Sequence, residues 1–461
     1  MKLRDLLVDV PLTGGSLDPE LEINSISVEK QGGQRGVLYM ELSQDSPGTS
    51  SGGAVCVNGS CLQTDDPWLT LARLGANWYC RPGSGMVLTA VAGGGDSALV
   101  VHLLQIVLET VPHVRVGVIA PDRVWIDGVE LPRGQREPGG LCVQRLLRRM
   151  ADARCTHVIL HLDDGALMRR EYAGLRMSVT ALTGPTRHRQ ELGALLAGSD
   201  MTVLNLDERD WEDYVSIIPE NTFTYSENKA RADLTARNLR LFPGHVEFEA
   251  VAVGKIRRIH LPVPGGFAVY HGLCVLACGL CLGLRLERMA GVLRSAQGLR
   301  GRMEVLPVCA AYTVVMDEAC TPESLERSLT SAREFTAGRL TCLLGCPAQG
   351  EQETLRQLGS VAEQLADRVI LTGTDCQRQA AMRAIEDVMS GMGGWHRPCT
   401  VEPDRERAIC SALERADPGD VILVTGAGVH QGPDSSDERE LIHSYIRRQH
   451  ACREKGARAV V

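Results

Sequence analysis

The chain has 461 residues, more than one ordinary hydrophobic core accommodates, so about two to four domains are expected. Hydrophobic residues make up 44% of it and charged residues 23%, the balance of a globular protein. A net charge of −8 and an aromatic content of only 4% argue against general binding to nucleic acids or to anionic membranes.

The amino-terminal segment MKLRDLLVDVPL has neither a long apolar region nor a cleavage site of the kind that ends a signal peptide. The longest apolar stretch, GLCVLACGLCLGL, is about 13 residues long, which is too short to cross a bilayer and fits a buried helix. We therefore expect no membrane insertion and a cytoplasmic location.

The sequence contains 16 cysteines, but a chain of this size without a secretion signal is not expected to depend on a disulfide framework. Most of the cysteines are expected to be reduced core residues. Cys274, Cys278 and Cys281 have the spacing of some iron–sulfur loops, yet they lie within an apolar stretch at helical spacing. Packing of one helix face is the favoured interpretation, and a cluster is the alternative.

The predicted elements fall into three successive regions. Residues 1–85 contain short elements separated by stretches rich in Gly, Ser and Asp, which indicates a small N-terminal domain. Residues 86–306 alternate helices with apolar strands such as MVLTAVA and THVILHL, the pattern of a parallel sheet covered by helices. Residues 307–461 repeat the alternation with strands such as LTCLLG and GDVILVTG, which predicts a doubly wound domain. The predicted fold class is α/β.

The segment AVAGGGDSAL, residues 90–99, has the layout of a phosphate-binding loop: a buried strand, a glycine-rich turn and the start of a helix. Its candidate residues are Gly93, Gly94, Gly95, Asp96 and Ser97. The lysine that contacts the β- and γ-phosphates in such loops is missing, and so is the Ser or Thr that follows it.

Several segments in the expected order resemble the Mur ligase family, and most of all its MurE type. They are LPVPGGFAVYHGL, GLRGRMEVLP, VVMDEACTPESLERSL, LLGCPAQG and GDVILVTGAGVHQ. The resemblance implies three domains: a UDP-binding domain, a central domain with a phosphate loop, and a C-terminal domain. It also implies an ATP- and Mg²⁺-dependent reaction that joins an amino acid to a UDP-N-acetylmuramoyl peptide. The uridine-site motif of the family is not recognisable in residues 1–85.

The glycine-rich turn departs from the family pattern at each chemically active position. Ser97 stands where the family has the phosphate lysine, and Ala98 stands where it has the magnesium-binding hydroxyl. Asp96 adds a negative charge where a triphosphate lies in the family. Two like charges about 4 Å apart repel by roughly 4 kcal/mol at an effective dielectric constant of about 20.

The magnesium positions of the family are altered as well. His161 replaces the metal-binding glutamate in THVILHLDDGAL, and Gly165 replaces a histidine. The segment that carries the carbamylated lysine of the family is absent by this alignment. Asp163 and Asp164 are speculative Mg²⁺ ligands, and a solvated turn is the favoured alternative for this pair.

In the C-terminal region Cys320 replaces a family histidine, while Ala427 and Val429 replace the Lys and His of a glycine-rich motif. Three polar family positions are retained, namely Arg302, Asp317 and Thr321. We expect Asp317 to orient the end of a strand and Arg302 to tie the central and C-terminal domains together. A purely structural hydrogen-bonding role is favoured for both.

The joint loss of these groups predicts a catalytically inactive homologue that uses neither nucleotide nor metal. Such a protein is expected to act as a binding or scaffold partner of active Mur ligases or other cell-wall synthesis proteins. The alternative is an ATP- and Mg²⁺-dependent ligase with a rearranged site. A third hypothesis is a different enzyme that holds a metal on Asp163, Asp164, His157 or His161, although structural histidines are favoured for the last two.

Overall fold

A computed structural model describes residues 1–28, 36–41, 53–93, 97–121, 123–131, 139–184, 186–208, 216–252, 254–347, 350–374, 378–393, 398–426 and 438–458. These residues form two compact units. The first comprises Met1–Ala236, Ala250–Arg257 and His271–Val292, and the second comprises Arg237–Glu249, Arg258–Tyr270 and Leu293–Val461. The predicted boundaries at residues 85 and 306 stay predictions.

The N-terminal part of the first unit is a four-stranded sheet with two helices. Its elements are α1 (Leu3–Leu6), β1 (Ser25–Ser27), β2 (Val37–Glu41), β3 (Gly53–Val57), β4 (Ser60–Thr64) and α2 (Pro67–Trp78). The strands lie in the order β1-β2-β3-β4, with β1 and β2 parallel and the remaining pairs antiparallel. Leu3, Leu6, Leu38, Leu71 and Leu74 are fully buried in its core.

Cys56 and Cys61 face each other across the turn between β3 and β4 and form a disulfide. This pair is an exception to the expectation that most cysteines are reduced, because hairpin pairing brings the two sulfurs together. Six other described cysteines, Cys142 and Cys278 among them, are free and buried, as predicted, whereas Cys80, Cys309 and Cys320 are free and exposed.

The larger sheet has eleven strands. Its elements, in chain order with the helices between them, are β5 (Val87–Ala92), α3 (Ser97–Glu109), β6 (Val116–Ile119), β7 (Val124–Ile126), β8 (Val129–Glu130), α4 (Gly140–Asp152), β9 (His157–Leu162), α5 (Asp164–Met168), β10 (Met177–Leu182), α6 (Arg189–Ala197), β11 (Ser199–Asn205), β12 (Thr222–Ser226), β13 (Leu234–Phe242), β14 (His245–Ala252) and β15 (Lys255–Leu261). The strand order is β15-β14-β13-β12-β11-β10-β5-β9-β6-β7-β8. A run of five neighbours, β11-β10-β5-β9-β6, is parallel throughout. These strands are largely buried, which explains their continuous apolar sequences and confirms the predicted parallel sheet.

Two further helices follow this sheet along the chain, α7 (Phe267–Cys281) and α8 (Leu286–Ser295). Cys274 and Cys278 are fully buried on α7 and Cys281 is half-buried, as helix-face packing predicts. None of the helices in the described part of the chain is long and apolar enough to span a membrane.

The second unit contains a six-stranded sheet covered on both faces. Its elements are β16 (Glu304–Val305), β17 (Thr313–Asp317), α9 (Pro322–Arg333), β18 (Leu340–Cys346), α10 (Gln352–Leu365), β19 (Arg368–Gly373), α11 (Arg378–Ser390), β20 (Cys399–Val401), α12 (Arg405–Glu414), β21 (Val421–Thr425) and α13 (Glu438–Arg458). The order is β16-β17-β21-β18-β19-β20, parallel except for β16. Two separate apolar clusters pack against this sheet, which confirms the doubly wound domain.

Candidate functional site

The glycine-rich turn follows β5 at the carboxyl edge of the parallel sheet, where ligands bind in folds of this kind. Gly93 has φ of +137°, and a Cβ at this position would lie 2.5 Å from Thr183 Oγ1 and 2.8 Å from Gly184 N. Only glycine fits this backbone. Gly94, Gly95 and Asp96 lie outside the described residues.

Ser97 begins α3 and is completely buried. Its hydroxyl lies 2.5 Å from Nε2 of His161 and 3.5 Å from the carbonyl oxygen of Gly93. His161 lies near the end of β9, beside Val91 of β5 in the sheet register, and is 8% exposed. Because β5 and β9 are adjacent and parallel, their carboxyl ends bring the first turn of α3 against the His161 ring.

Asp163 and Asp164 follow β9 at the same edge, and both have structural hydrogen bonds. Asp163 caps α5, since one of its carboxylate oxygens accepts a bond of 2.7 Å from Ala166 N–H. Asp164 accepts a bond of 2.6 Å from the hydroxyl of Thr186. Within the ranges that the structure describes, neither belongs to a group of three donors close enough to share a metal ion. Their assignment as Mg²⁺ ligands stays a prediction.

His157 stands at the opposite end of β9 from His161. His161 is four positions further along the strand, roughly 13 Å away, which is too far for a shared metal ion. His157 Nδ1 lies 3.0 Å from the Thr156 hydroxyl, and burial lowers the pKa of its imidazole. The geometry agrees with the structural interpretation of this residue.

In the second unit, Asp317 ends β17 and organises the chain around it. Its carboxylate accepts hydrogen bonds from Met303 N–H (2.8 Å), Ala319 N–H (2.9 Å) and the Ser328 hydroxyl (2.9 Å). The side chain is 5% exposed, and this burial raises its pKa. These bonds are those of a residue that fixes the end of a strand.

The other two retained positions lie close to Asp317 in sequence. Thr321 caps α9 in a reciprocal pair with Ser324. Arg302 Nη2 lies 3.4 Å from Glu318 Oε2, a partner within the same unit. A tie from Arg302 to the central domain stays a prediction.

A surface cleft of about 420 Å³ lies at the amino ends of β5, β10 and β11, and its lining includes Arg81, Ser84 and Arg176. Arg176 is paired with Asp200 inside it, at 2.6 Å. Because parallel strands begin at this edge, the cleft lies across the sheet from the glycine-rich turn.

Sequence reasoning missed one cluster of chemically capable side chains, formed by His245, Glu247 and His260. One ligand atom from each lies within 4.8 Å of the other two. Burial and the neighbouring His260 lower the pKa of His245, although Glu247 opposes them. The only sequence signal was the i, i+2 spacing of His245 and Glu247 on a strand, and recognition of His260 needed the pairing of β14 with β15.

Comparisons with known proteins find similarity to Mur ligases. Residues 301–428 match the family model described as Mur ligase, glutamate ligase domain. The chain is 27% identical over 467 residues to the UDP-N-acetylmuramoyl-L-alanyl-D-glutamate–2,6-diaminopimelate ligase of Thermosynechococcus vestitus, with 93% of each chain covered. It is 26% identical to the ligase of the same name from Gloeobacter violaceus, again with 93% of each covered. The chain therefore carries a Mur ligase domain at residues 301–428, and over 93% of its length it is similar to diaminopimelate-adding Mur ligases.

Solved structures of Mur ligases share the fold of this chain. A structure of a UDP-N-acetylmuramoyl-L-alanyl-D-glutamate–2,6-diaminopimelate ligase matches with a TM-score of 0.62 at 19% identity, covering 83% of each chain. The MurF ligase of Thermotoga maritima in complex with ADP matches with a TM-score of 0.61 at 15% identity, covering 93% of this chain and 96% of that one. The predicted three-domain Mur ligase architecture is confirmed at the level of fold.

Ser97 and His161 do not fit Mg²⁺-ATP. The side chain at the first position of α3 is a short hydroxyl that is hydrogen-bonded to an imidazole, rather than a cation that reaches outward. Mg²⁺ prefers oxygen ligands, and the nearby His161 offers nitrogen.

Proposed function

We propose that this chain is a catalytically inactive Mur ligase homologue that acts as a binding or scaffold protein in peptidoglycan synthesis. The observation that carries the proposal is the buried hydrogen bond between Ser97 and His161. By the motif alignment, these two residues occupy the positions of the phosphate lysine and the magnesium glutamate. The two altered positions contact each other where catalysis needs a cation and a metal ligand.

The chemistry of ATP-dependent ligation explains why this contact supports the proposal. Transfer of a phosphoryl group to a carboxylate needs positive charge that stabilises the equatorial oxygens, from lysine, arginine or Mg²⁺. A hydroxyl and an imidazole that are hydrogen-bonded to each other do not supply it. Asp96, next to Ser97 in sequence, adds negative charge.

The residues that keep the fold are retained, which supports a binding role. Gly93 keeps the sharp turn, Asp317 fixes a strand end and Thr321 caps α9. A protein that keeps such structural groups while it loses catalytic ones preserves the shape of its surfaces. Active Mur ligases or other cell-wall synthesis proteins are the proposed partners, in the cytoplasm.

Calorimetry with ATP and Mg²⁺ tests the loss of nucleotide binding. We expect no heat of binding at millimolar nucleotide, whereas a diaminopimelate-adding ligase of the same family, measured alongside, binds. A Kd below about 100 μM, equivalent to roughly −5.5 kcal/mol, would contradict the proposal.

Sedimentation of the chain mixed with an active MurE-type ligase of the same organism tests the scaffold role. A concentration-dependent complex is expected. If the chain forms no complex with that ligase or with any other Mur ligase, the scaffold role fails. The proposal of inactivity is not affected by that result.

A ligase with a rearranged site is the second candidate. Similarity to diaminopimelate-adding ligases over 93% of the chain favours it. ATP and Mg²⁺ are the cofactors that it requires, so the calorimetry above separates the two candidates.

A further inference from the structure

Three metal-ligating side chains meet on one face of the β14–β15 pair. His245 and Glu247 are two residues apart on β14, so they project from the same face of the strand. His260 is contributed by the neighbouring strand β15. All three belong to the second compact unit.

The cluster is compact before any ion is present. The rings of His245 and His260 have centroids 4.3 Å apart, and Nδ1 of His260 lies 3.6 Å from Oε1 of Glu247. Zinc ligands lie about 2.0–2.2 Å from the ion, so their atoms are roughly 3.4 Å apart in a tetrahedral site. The three ligand atoms lie within 4.8 Å of one another. Side-chain rotations that move each atom by about 1 Å would bring them to the separation of a zinc site.

We propose that His245, Glu247 and His260 bind a divalent transition metal ion, with Zn²⁺ as the expected occupant. Two imidazoles and one carboxylate are a donor set that zinc takes up in proteins, with a fourth position left to water. Imidazole donors favour Zn²⁺, Ni²⁺ and Cu²⁺ over Mg²⁺ and Ca²⁺. The site is independent of the proposed loss of ligase activity.

Two neighbouring side chains, Phe242 and Arg258, lie against the cluster. The ring of Phe242 stacks on His245 at a centroid distance of 4.4 Å and covers one of its faces. Arg258 is held by Glu249 at 2.9 Å and lies 4.0 Å from Glu247. Arg258 is therefore closer to Glu249 than to Glu247, and Glu247 lies 3.6 Å from His260.

The side chains of the cluster are partly exposed, which makes them accessible to an ion and tolerant of substitution. The side chains of Glu247 and His260 are each 26% exposed. Replacing either one leaves no buried cavity, so the variants are expected to fold. An equal thermal transition of wild type and variants in the presence of a chelator checks this point.

Titration of the full-length, chelator-treated protein with Zn²⁺ by calorimetry, and with Co²⁺ by absorption, tests the proposal. One ion per chain is expected, with visible d–d bands and without the near-ultraviolet thiolate bands that cysteine ligation produces. His245→Ala, His260→Ala and Glu247→Gln should each weaken binding by roughly tenfold or more. The conservative His260→Asn should behave like His260→Ala, because an amide does not replace an imidazole nitrogen.

The matched control is His113→Asn, which removes an exposed histidine elsewhere in the chain and keeps a residue that tolerates the positive φ of 65° found there. It should leave the affinity unchanged. Absence of binding at millimolar Zn²⁺, thiolate bands in the Co²⁺ spectrum, or equal affinity in the wild type and the three cluster variants would each overturn the proposal.

Discussion

The hydroxyl of Ser97 lies 2.5 Å from Nε2 of His161, and both side chains are buried. The two residues are 64 positions apart in sequence, and the pairing of β5 with β9 brings them together. In the Mur ligase family, which the sequence resembles, a lysine and a carboxylate occupy these two positions of the nucleotide site. Here the same space holds a hydroxyl and an imidazole that are hydrogen-bonded to each other.

Ser97→Ala should destabilise the protein. The substitution removes a hydrogen-bond partner of a buried imidazole nitrogen, which costs about 1–3 kcal/mol. Denaturant unfolding measures the change, and Ser84→Ala at an exposed serine is the matched control, expected within about 0.5 kcal/mol of wild type. Equal stability of the two variants would show that the contact contributes nothing.

Gly93→Ala tests whether the turn after β5 keeps its strained geometry. The methyl group would meet Thr183 and Gly184 at a φ of +137°, so we expect a loss of about 1–3 kcal/mol. Gly85→Ala is the control, because a Cβ there meets no atom within 4 Å. Similar unfolding midpoints for both variants would refute the tight turn.

Glu304→Gln should lower stability at neutral pH and flatten its dependence on acid. Burial alone raises the pKa of Glu304, but hydrogen bonds from Arg439 (2.7 Å) and Gly301 N–H (2.8 Å) lower it below the usual value. A carboxylate with a depressed folded-state pKa stabilises the fold above the unfolded pKa of about 4.5, and this stabilisation is lost as pH falls through the folded-state value.

Unfolding free energies measured between pH 7 and pH 3 give this difference. The wild type should exceed Glu304→Gln by about 1.5–3 kcal/mol at pH 7, and the two should converge on acidification. Glu386→Gln, at an exposed position of α11, should follow the wild type throughout. A gap that widens toward pH 3 would reverse the assigned direction of the pKa shift.

The triple variant Asp96→Gly, Ser97→Lys, Ala98→Thr should recover weak nucleotide binding without ligase turnover. It restores the loop lysine and the hydroxyl, but the magnesium glutamate is still His161. Calorimetry with ATP should detect binding in the variant and none in the wild type. Turnover by the variant would mean that metal ligation is rebuilt elsewhere, with Asp163 and Asp164 as the first candidates.

The strands were predictable because those buried on both faces have uninterrupted apolar sequences, as Val87–Ala92 and Val421–Thr425 do. The helix of Cys274 and Cys278 was predictable from its spacing. The contact of Ser97 with His161 was not, because it depends on which strands are neighbours. The position of His260 beside His245 was missed as well, because it depends on the pairing of β14 with β15, which residue type alone does not specify.

The sequence did not predict that Asp163 caps α5. An aspartate after a strand has the same sequence context whether it holds an ion or begins a helix. The 2.7 Å bond from Ala166 N–H shows the capping role. The distinction is local geometry, which residue type alone does not specify.

A turnover assay on the wild-type chain tests most directly whether the protein is catalytically inactive. ATP, Mg²⁺, UDP-N-acetylmuramoyl-L-alanyl-D-glutamate and 2,6-diaminopimelate are supplied together, and released phosphate and ligated product are measured. We expect a rate equal to that without protein. Product formed by the wild-type chain above that background would contradict catalytic inactivity.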